Sequence, residues 1–149
     1  MVNSRFVSPR VRVIVRFDRT ALGIYTAVAF REQLGIEIEE RGDGRAKLLF
    51  RAKDEHLNDG GIVHGGAIAT LADCAMGSAL ASTLGEDEQP VTVEAKINYL
   101  EPGERGTIVA VATVRRKGKR FTVLEAEVTQ QESGEHIAYA TGTFTILNT

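Results

Sequence analysis

Between His64 and Glu86 the chain carries one charged side chain, Asp73, in a run of small and apolar residues from Gly65 to Leu84. Within it Ile68, Leu71, Ala72, Ala75 and Ala79 recur at i, i+3 and i+4, which predicts a helix starting at the Gly65-Gly66 pair. The remaining faces are nearly as apolar, so this helix is expected to be enclosed on most sides. Its Gly, Ser and Thr content, its weak hydrophobicity and Asp73 itself argue against a membrane span. A carboxylate buried there costs several kcal/mol unless it is hydrogen-bonded, hydrated or protonated. No neighbouring cation or capping role accounts for it, so Asp73 reads as catalytic. The competing reading is a carboxylate bonded to backbone or hydroxyl groups in a dimer core.

The helix start adds a second chemical element. Gly65 and Gly66 leave first-turn N–H groups sterically open, at the positive end of the helix dipole. Such donors suit an oxyanion hole for acyl transfer, where loss of one donor typically costs about 10²–10³ in rate. Gly65 and Asp73 are eight residues apart, roughly 12 Å along a helix at ~1.5 Å per residue. One reacting carbonyl cannot touch both within one chain. Two helices packed antiparallel about a two-fold axis would bring each Asp73 to the other Gly65. The expected site therefore lies between two copies.

The 149 residues suit one principal domain with its own core. A net charge of −2 offers no global attraction for nucleic acid or an anionic membrane. Cys74 is the sole cysteine, which excludes an internal disulfide and fits a reducing, cytoplasmic setting. Val11-Arg12-Val13-Ile14-Val15-Arg16-Phe17 is too interrupted by arginine to resemble a signal peptide. His56, His64 and His136 lack zinc-ligand spacing, so no metal is expected, and there is no Gly-x-Ser-x-Gly elbow of a serine hydrolase.

Residues 1–34 read as an N-terminal extension, with a short strand near Val11–Phe17 and a helix over Thr20–Leu34. Residues 35–149 form the main domain. Gly35–Arg41 and Arg45–Ala52 pattern as strands joined through Gly42-Asp43-Gly44. After the long helix come Pro90–Leu100, Gly106–Arg116, Arg120–Gln131 and Glu135–Leu147. In Pro90–Leu100, Val91, Val93, Ala95, Ile97 and Tyr99 alternate with Thr92, Glu94, Lys96 and Asn98, a half-buried strand pattern. The expected class is α+β, an antiparallel sheet wrapped around one long central helix. Ala67, Ala69, Ala72, Ala75 and Gly77 on the helix, and Ala110, Ala112, Ala126, Ala138, Ala140 and Gly142 on strands, would let the two approach closely.

Asn58-x-x-Gly61-x-x-His64-Gly65-Gly66 followed by Thr70-Leu71-Ala72-Asp73 resembles the signature of hotdog-fold acyl-CoA thioesterases of the phenylacetic-acid-degradation (PaaI-like) type. The resemblance covers about residues 35–147. It implies a hotdog fold, homodimers that commonly pair into homotetramers, an acyl-CoA substrate and no separate cofactor. By position it gives Gly65 the donor N–H to the thioester carbonyl, and Asp73 of the facing subunit the role of base or nucleophile. Asn58 and His64 would hold the thioester or the water, and Thr92 would help place that water.

Each assignment has a plainer competitor. Asn58 precedes Asp59-Gly60-Gly61 and suits an Asx-turn, His64 could simply brace its loop, and Thr92 is an ordinary strand residue type. The basic run Arg115-Arg116-Lys117-Gly118-Lys119-Arg120 reads either as a contact for coenzyme A phosphates, through Lys117, Gly118, Lys119 and Arg120, or as a solvated hairpin. Met76, Leu80 and Tyr99 are pocket candidates with core packing as the alternative. Cys74 is discounted as a nucleophile, since adjacent helix positions face different ways. At the level of function, a hotdog hydratase or dehydratase and a non-catalytic acyl-CoA binding module are the alternatives to a thioesterase hydrolysing an aryl- or medium-chain acyl-CoA.

Overall fold

A computed structural model describes residues 29–148. The expected strand at Val11–Phe17 and most of the expected helix over Thr20–Leu34 lie outside them. A short helix, α1 (Phe30–Gln33), precedes β1 (Ile36–Gly42) and β2 (Arg45–Ala52). Those strands meet in a two-residue turn at Asp43-Gly44, both with positive φ, the backbone twist that a tight hairpin favours. The long helix α2 (Gly65–Ala81) follows, then β3 (Glu88–Tyr99), β4 (Gly106–Lys117), β5 (Thr122–Gln130) and β6 (His136–Asn148).

Among the described residues six strands form one antiparallel sheet in the order β1-β2-β4-β5-β6-β3, with β1 and β3 at its edges. This is the antiparallel α+β arrangement that the strand and helix order predicts, and the hotdog fold that the resemblance implies. The small strand residues share the face toward α2. In register across four strands stand Ala46, Ala112, Ala126 and Ala140, all buried. Larger side chains there would hold the helix away. A Cβ added at Gly142 would come within 2.9 Å of the Phe144 ring and 3.0 Å of the Met76 sulfur, so the closest approach depends on glycine. Met76 and Leu80 are fully buried in the core, which settles them as packing residues within the chain.

Two expectations need correction. The central helix is not enclosed on most sides of the single chain. It buries Ala67, Ile68, Leu71, Ala72, Ala75, Met76, Ala79 and Leu80, while Ala69, Thr70, Asp73, Cys74, Gly77, Ser78 and Ala81 form a half-exposed stripe. The near-uniform apolarity of its sequence hid this face, because small residues can be left open at little cost. The second correction concerns β3. Its register against β6 slips between Thr92 and Glu94, a bulge at Val93. Thr92 pairs with the core residue Phe144, and beyond the bulge Ala95 and Ile97 pair with Gly142 and Ala140. The inward set therefore switches from even to odd positions at Val93, and Thr92 joins the helix-facing set that simple alternation denies it.

Candidate active site

The loop into α2 is braced before the helix begins. Leu57 bridges to Val63, the Val63 N–H donates to the Gly103 carbonyl at 2.8 Å, and the His64 N–H donates to the His56 carbonyl at 2.8 Å. The His56 ring lies 4.8 Å from that of Phe50, tying the loop to β2. Asn58 shapes the turn: its Oδ1 accepts from the Gly60 N–H at 2.9 Å, and its carbonyl accepts from the Gly61 N–H. Gly61 has φ +78°, a conformation glycine tolerates without strain. Thus the Asx-turn is present, and Asn58 also lines a cleft of about 280 Å³ with Ile62, Val63, Gly65, Ile68 and Tyr99.

His64 caps α2. Its Nδ1 accepts from the Gly66 N–H at 2.9 Å, which leaves the ring proton on Nε2 when the ring is neutral. The Ala67 and Ile68 N–H groups both donate to the His64 carbonyl, at 2.9 and 3.4 Å. Of the four N–H groups that open the helix, three are thereby engaged. The fourth, on Gly65, has no hydrogen-bond partner among the described residues, and Gly65 lines the cleft. The sequence marked a glycine pair; the fold distinguishes the two, giving Gly66 to the cap and leaving Gly65 available to a ligand.

Two turns along, Asp73 stands on the half-exposed stripe. Thr92 Oγ1 donates to Asp73 Oδ1 at 2.8 Å, so the bulged strand delivers a hydroxyl to the carboxylate. That bond orients Asp73 while leaving Oδ2 for another partner. Cys74 is next to it, and burial, followed by the charge of Asp73, pushes its thiol up from the ordinary range. A raised value keeps the thiol protonated, the opposite of what a nucleophilic cysteine requires.

The basic hairpin sits at the other end of α2. Lys117 Nζ donates to the Thr83 carbonyl at 3.0 Å and the Thr83 hydroxyl at 3.2 Å. Arg115 pairs with Glu125 at 3.4 Å, and the Arg120 guanidinium lies 5.8 Å from the Phe121 ring centre. A Cβ at Gly118 would meet the Phe121 carbonyl oxygen at 2.7 Å, so that glycine serves the turn. Within one chain, then, the structure places Asn58 and Gly65 on one cleft, puts His64 beside Gly66 on a second, and pairs Asp73 with Thr92. It sets the 117–120 hairpin apart from all of these. The residue undervalued by sequence reasoning is Tyr99, whose hydroxyl donates to the Gly65 carbonyl at 2.8 Å.

Residues 60–137 match the family model of the thioesterase superfamily, and the chain belongs to that family. Its class of activity is thioester hydrolysis. Among relatives, the medium/long-chain acyl-CoA thioesterase YigI of Escherichia coli K12 is 30% identical over 132 residues, covering 78% of this chain and 84% of its own. The solved structure of the conserved protein PA5202 from Pseudomonas aeruginosa is 39% identical with a TM-score of 0.76, over 80% of this chain and 94% of the other. The E. coli PaaI protein from the phenylacetic acid degradation operon superposes with a TM-score of 0.75 at 29% identity, over 82% and 86% of the two chains.

Proposed function

We propose that this protein hydrolyses an aryl- or medium-chain acyl-CoA to the free acid and coenzyme A, at sites formed between two copies of the chain. The observation that carries the reading is the pairing on one helix of a single uncommitted first-turn N–H, on Gly65, with a carboxylate held by a hydroxyl, Asp73 with Thr92. Hydrolysis needs both functions. The Gly65 N–H receives the carbonyl oxygen and stabilises the charge that develops there. Asp73 of the partner subunit acts on the other face of the carbonyl, taking a proton from water as it attacks or attacking directly to form an anhydride. Collapse of the tetrahedral intermediate expels the coenzyme A thiolate, which leaves readily; on the direct route water then hydrolyses the anhydride, releasing the acid and restoring the carboxylate.

The half-exposed stripe of α2 and the edge that β3 forms among the described residues support the two-copy reading. They adjoin one another, and the edge presents Val91 and Val93, the latter 52% exposed. A second copy placed across the stripe covers this edge and completes two sites related by symmetry. With Gly65 opposite Asp73 of the partner subunit, the level of the partner's Thr83 falls roughly 15 Å from Gly65 at ~1.5 Å per residue. A pantetheine arm can span that reach, so Lys119 and Arg120 are assigned to the coenzyme A phosphates, with Lys117 and Gly118 shaping the hairpin that presents them. Two such dimers associate into a homotetramer in this proposal.

The test is thiol release from a panel of aryl- and fatty-acyl-CoAs by wild type and Asp73→Asn, with sedimentation to establish assembly. Turnover that collapses in a folded, assembled Asp73→Asn protein supports the reading. A fully active monomer removes the shared site. Wild type that binds acyl-CoA without releasing thiol, or that hydrates an enoyl-CoA instead, replaces the thioesterase assignment for this chain.

A further inference from the structure

Gly65 is the residue on which the proposed oxyanion contact depends, and glycine is the residue least able to hold its own conformation. The structure supplies the restraint from outside. The peptide group joining Gly65 to Gly66 is held at both ends: its N–H donates to His64 Nδ1 at 2.9 Å, and its carbonyl accepts from the Tyr99 hydroxyl at 2.8 Å. The preceding peptide is fixed through the His64 carbonyl by Ala67 and Ile68, so its other end, the Gly65 N–H, takes a set direction. The Tyr99 ring closes over the glycine as well. A Cβ at Gly65 would lie 3.1 Å from the ring carbon Cζ and from the hydroxyl. Tyr99 is 51% exposed, so its placement is not explained by core packing. It ends β3, paired with Ala138, and it lines the same cleft as Gly65.

We propose that Tyr99 is a positioning residue for the oxyanion donor: its hydroxyl, with His64 opposite, clamps the Gly65–Gly66 peptide, and its ring forms the wall that confines the thioester beside Gly65. The inference rests on the thioesterase reading above and extends it to a residue outside the motif. In this role Tyr99 acts on the transition state through Gly65, because the donor's direction matters most when charge is on the oxygen. The hydroxyl and the ring carry separable functions. The first belongs to kcat and the second to KM.

Steady-state kinetics on the best acyl-CoA of the panel, with wild type, Asp73→Asn, Tyr99→Phe and Tyr99→Leu, separates them. Tyr99→Phe keeps the ring and loses the clamp; kcat is expected to fall about fivefold, the equivalent of one neutral hydrogen bond, with KM within twofold and Tm unchanged. Tyr99→Leu should lose at least as much kcat and raise KM several-fold. Abolition of turnover by Asp73→Asn alongside a Tyr99→Phe kcat within twofold of wild type overturns the clamp and leaves the thioesterase reading standing. So does a Tyr99→Phe loss that falls on KM alone or that follows a lowered Tm. Absence of thiol release by wild type across the panel overturns both together.

Discussion

The two ends of α2 are built to opposite specifications. At its C-terminus the Ser78, Ala79, Leu80, Ala81 and Thr83 carbonyls each accept a hydrogen bond, from backbone, from the Ser82 and Thr83 hydroxyls, or from Lys117. Ser82 Oγ also accepts from the Gly44 N–H at 2.8 Å, locking the β1–β2 turn onto the helix end. At the N-terminus, one donor of four is left over among the described residues, beside a cleft and next to the Tyr99 ring. Both ends face the same problem of unpartnered backbone groups. Where hydroxyls and a lysine join the backbone in meeting the carbonyls, the helix is anchored; where one donor is left over, a ligand can be the missing partner.

That contrast yields graded expectations. Asp73→Asn should reduce thiol release by about 10²–10⁴ while circular dichroism and assembly stay as in wild type, the scale of a lost general base or nucleophile. Gly65→Ala should cost about 10- to 100-fold in kcat, because its methyl must displace Tyr99 and with it the aim of the donor. Thr92→Val removes the 2.8 Å bond to Asp73 and should lower kcat about tenfold with little change in KM. The smallest catalytic effect is expected from the sealed end. Ser82→Ala should lower stability by about 1–2 kcal/mol in urea unfolding and leave kcat within twofold. A large kcat loss from Ser82→Ala, with the site residues tolerant of change, would erase the distinction between the two ends.

Sequence patterning reached the succession of strands and helix along the chain, the turn at Gly42-Asp43-Gly44 and the start of the helix, because period and turn chemistry are local properties. It also singled out Asp73, since an isolated charge in an apolar run is visible without coordinates. It overestimated the enclosure of α2, because a stripe of Ala, Gly, Ser and Cys is compatible with core or surface. It misplaced the face of Thr92, because a bulge leaves no compositional mark at Val93. The division of labour between Gly65 and Gly66 was equally hidden, as it depends on which N–H the His64 ring meets. Tyr99, 34 positions after Gly65, meets it only through the pairing of β3 at the sheet edge.

The bulge has a consequence for how this strand can change. Val93 acts as a spacer that puts the strand's two halves out of phase, so the address of Thr92 is set by a count of residues as much as by its identity. Deleting Val93 would close the bulge and leave Thr92, Glu94 and Ala95 opposite Phe144, Thr143 and Gly142 in plain alternation. With Ala95, Ile97 and Tyr99 held in place, the hydroxyl beside Asp73 would keep its inner address, whereas pairing Val93 into a regular strand would turn it to the outer face. A strand one residue shorter can thus serve the carboxylate, while one of the same length with its bulge ironed out cannot.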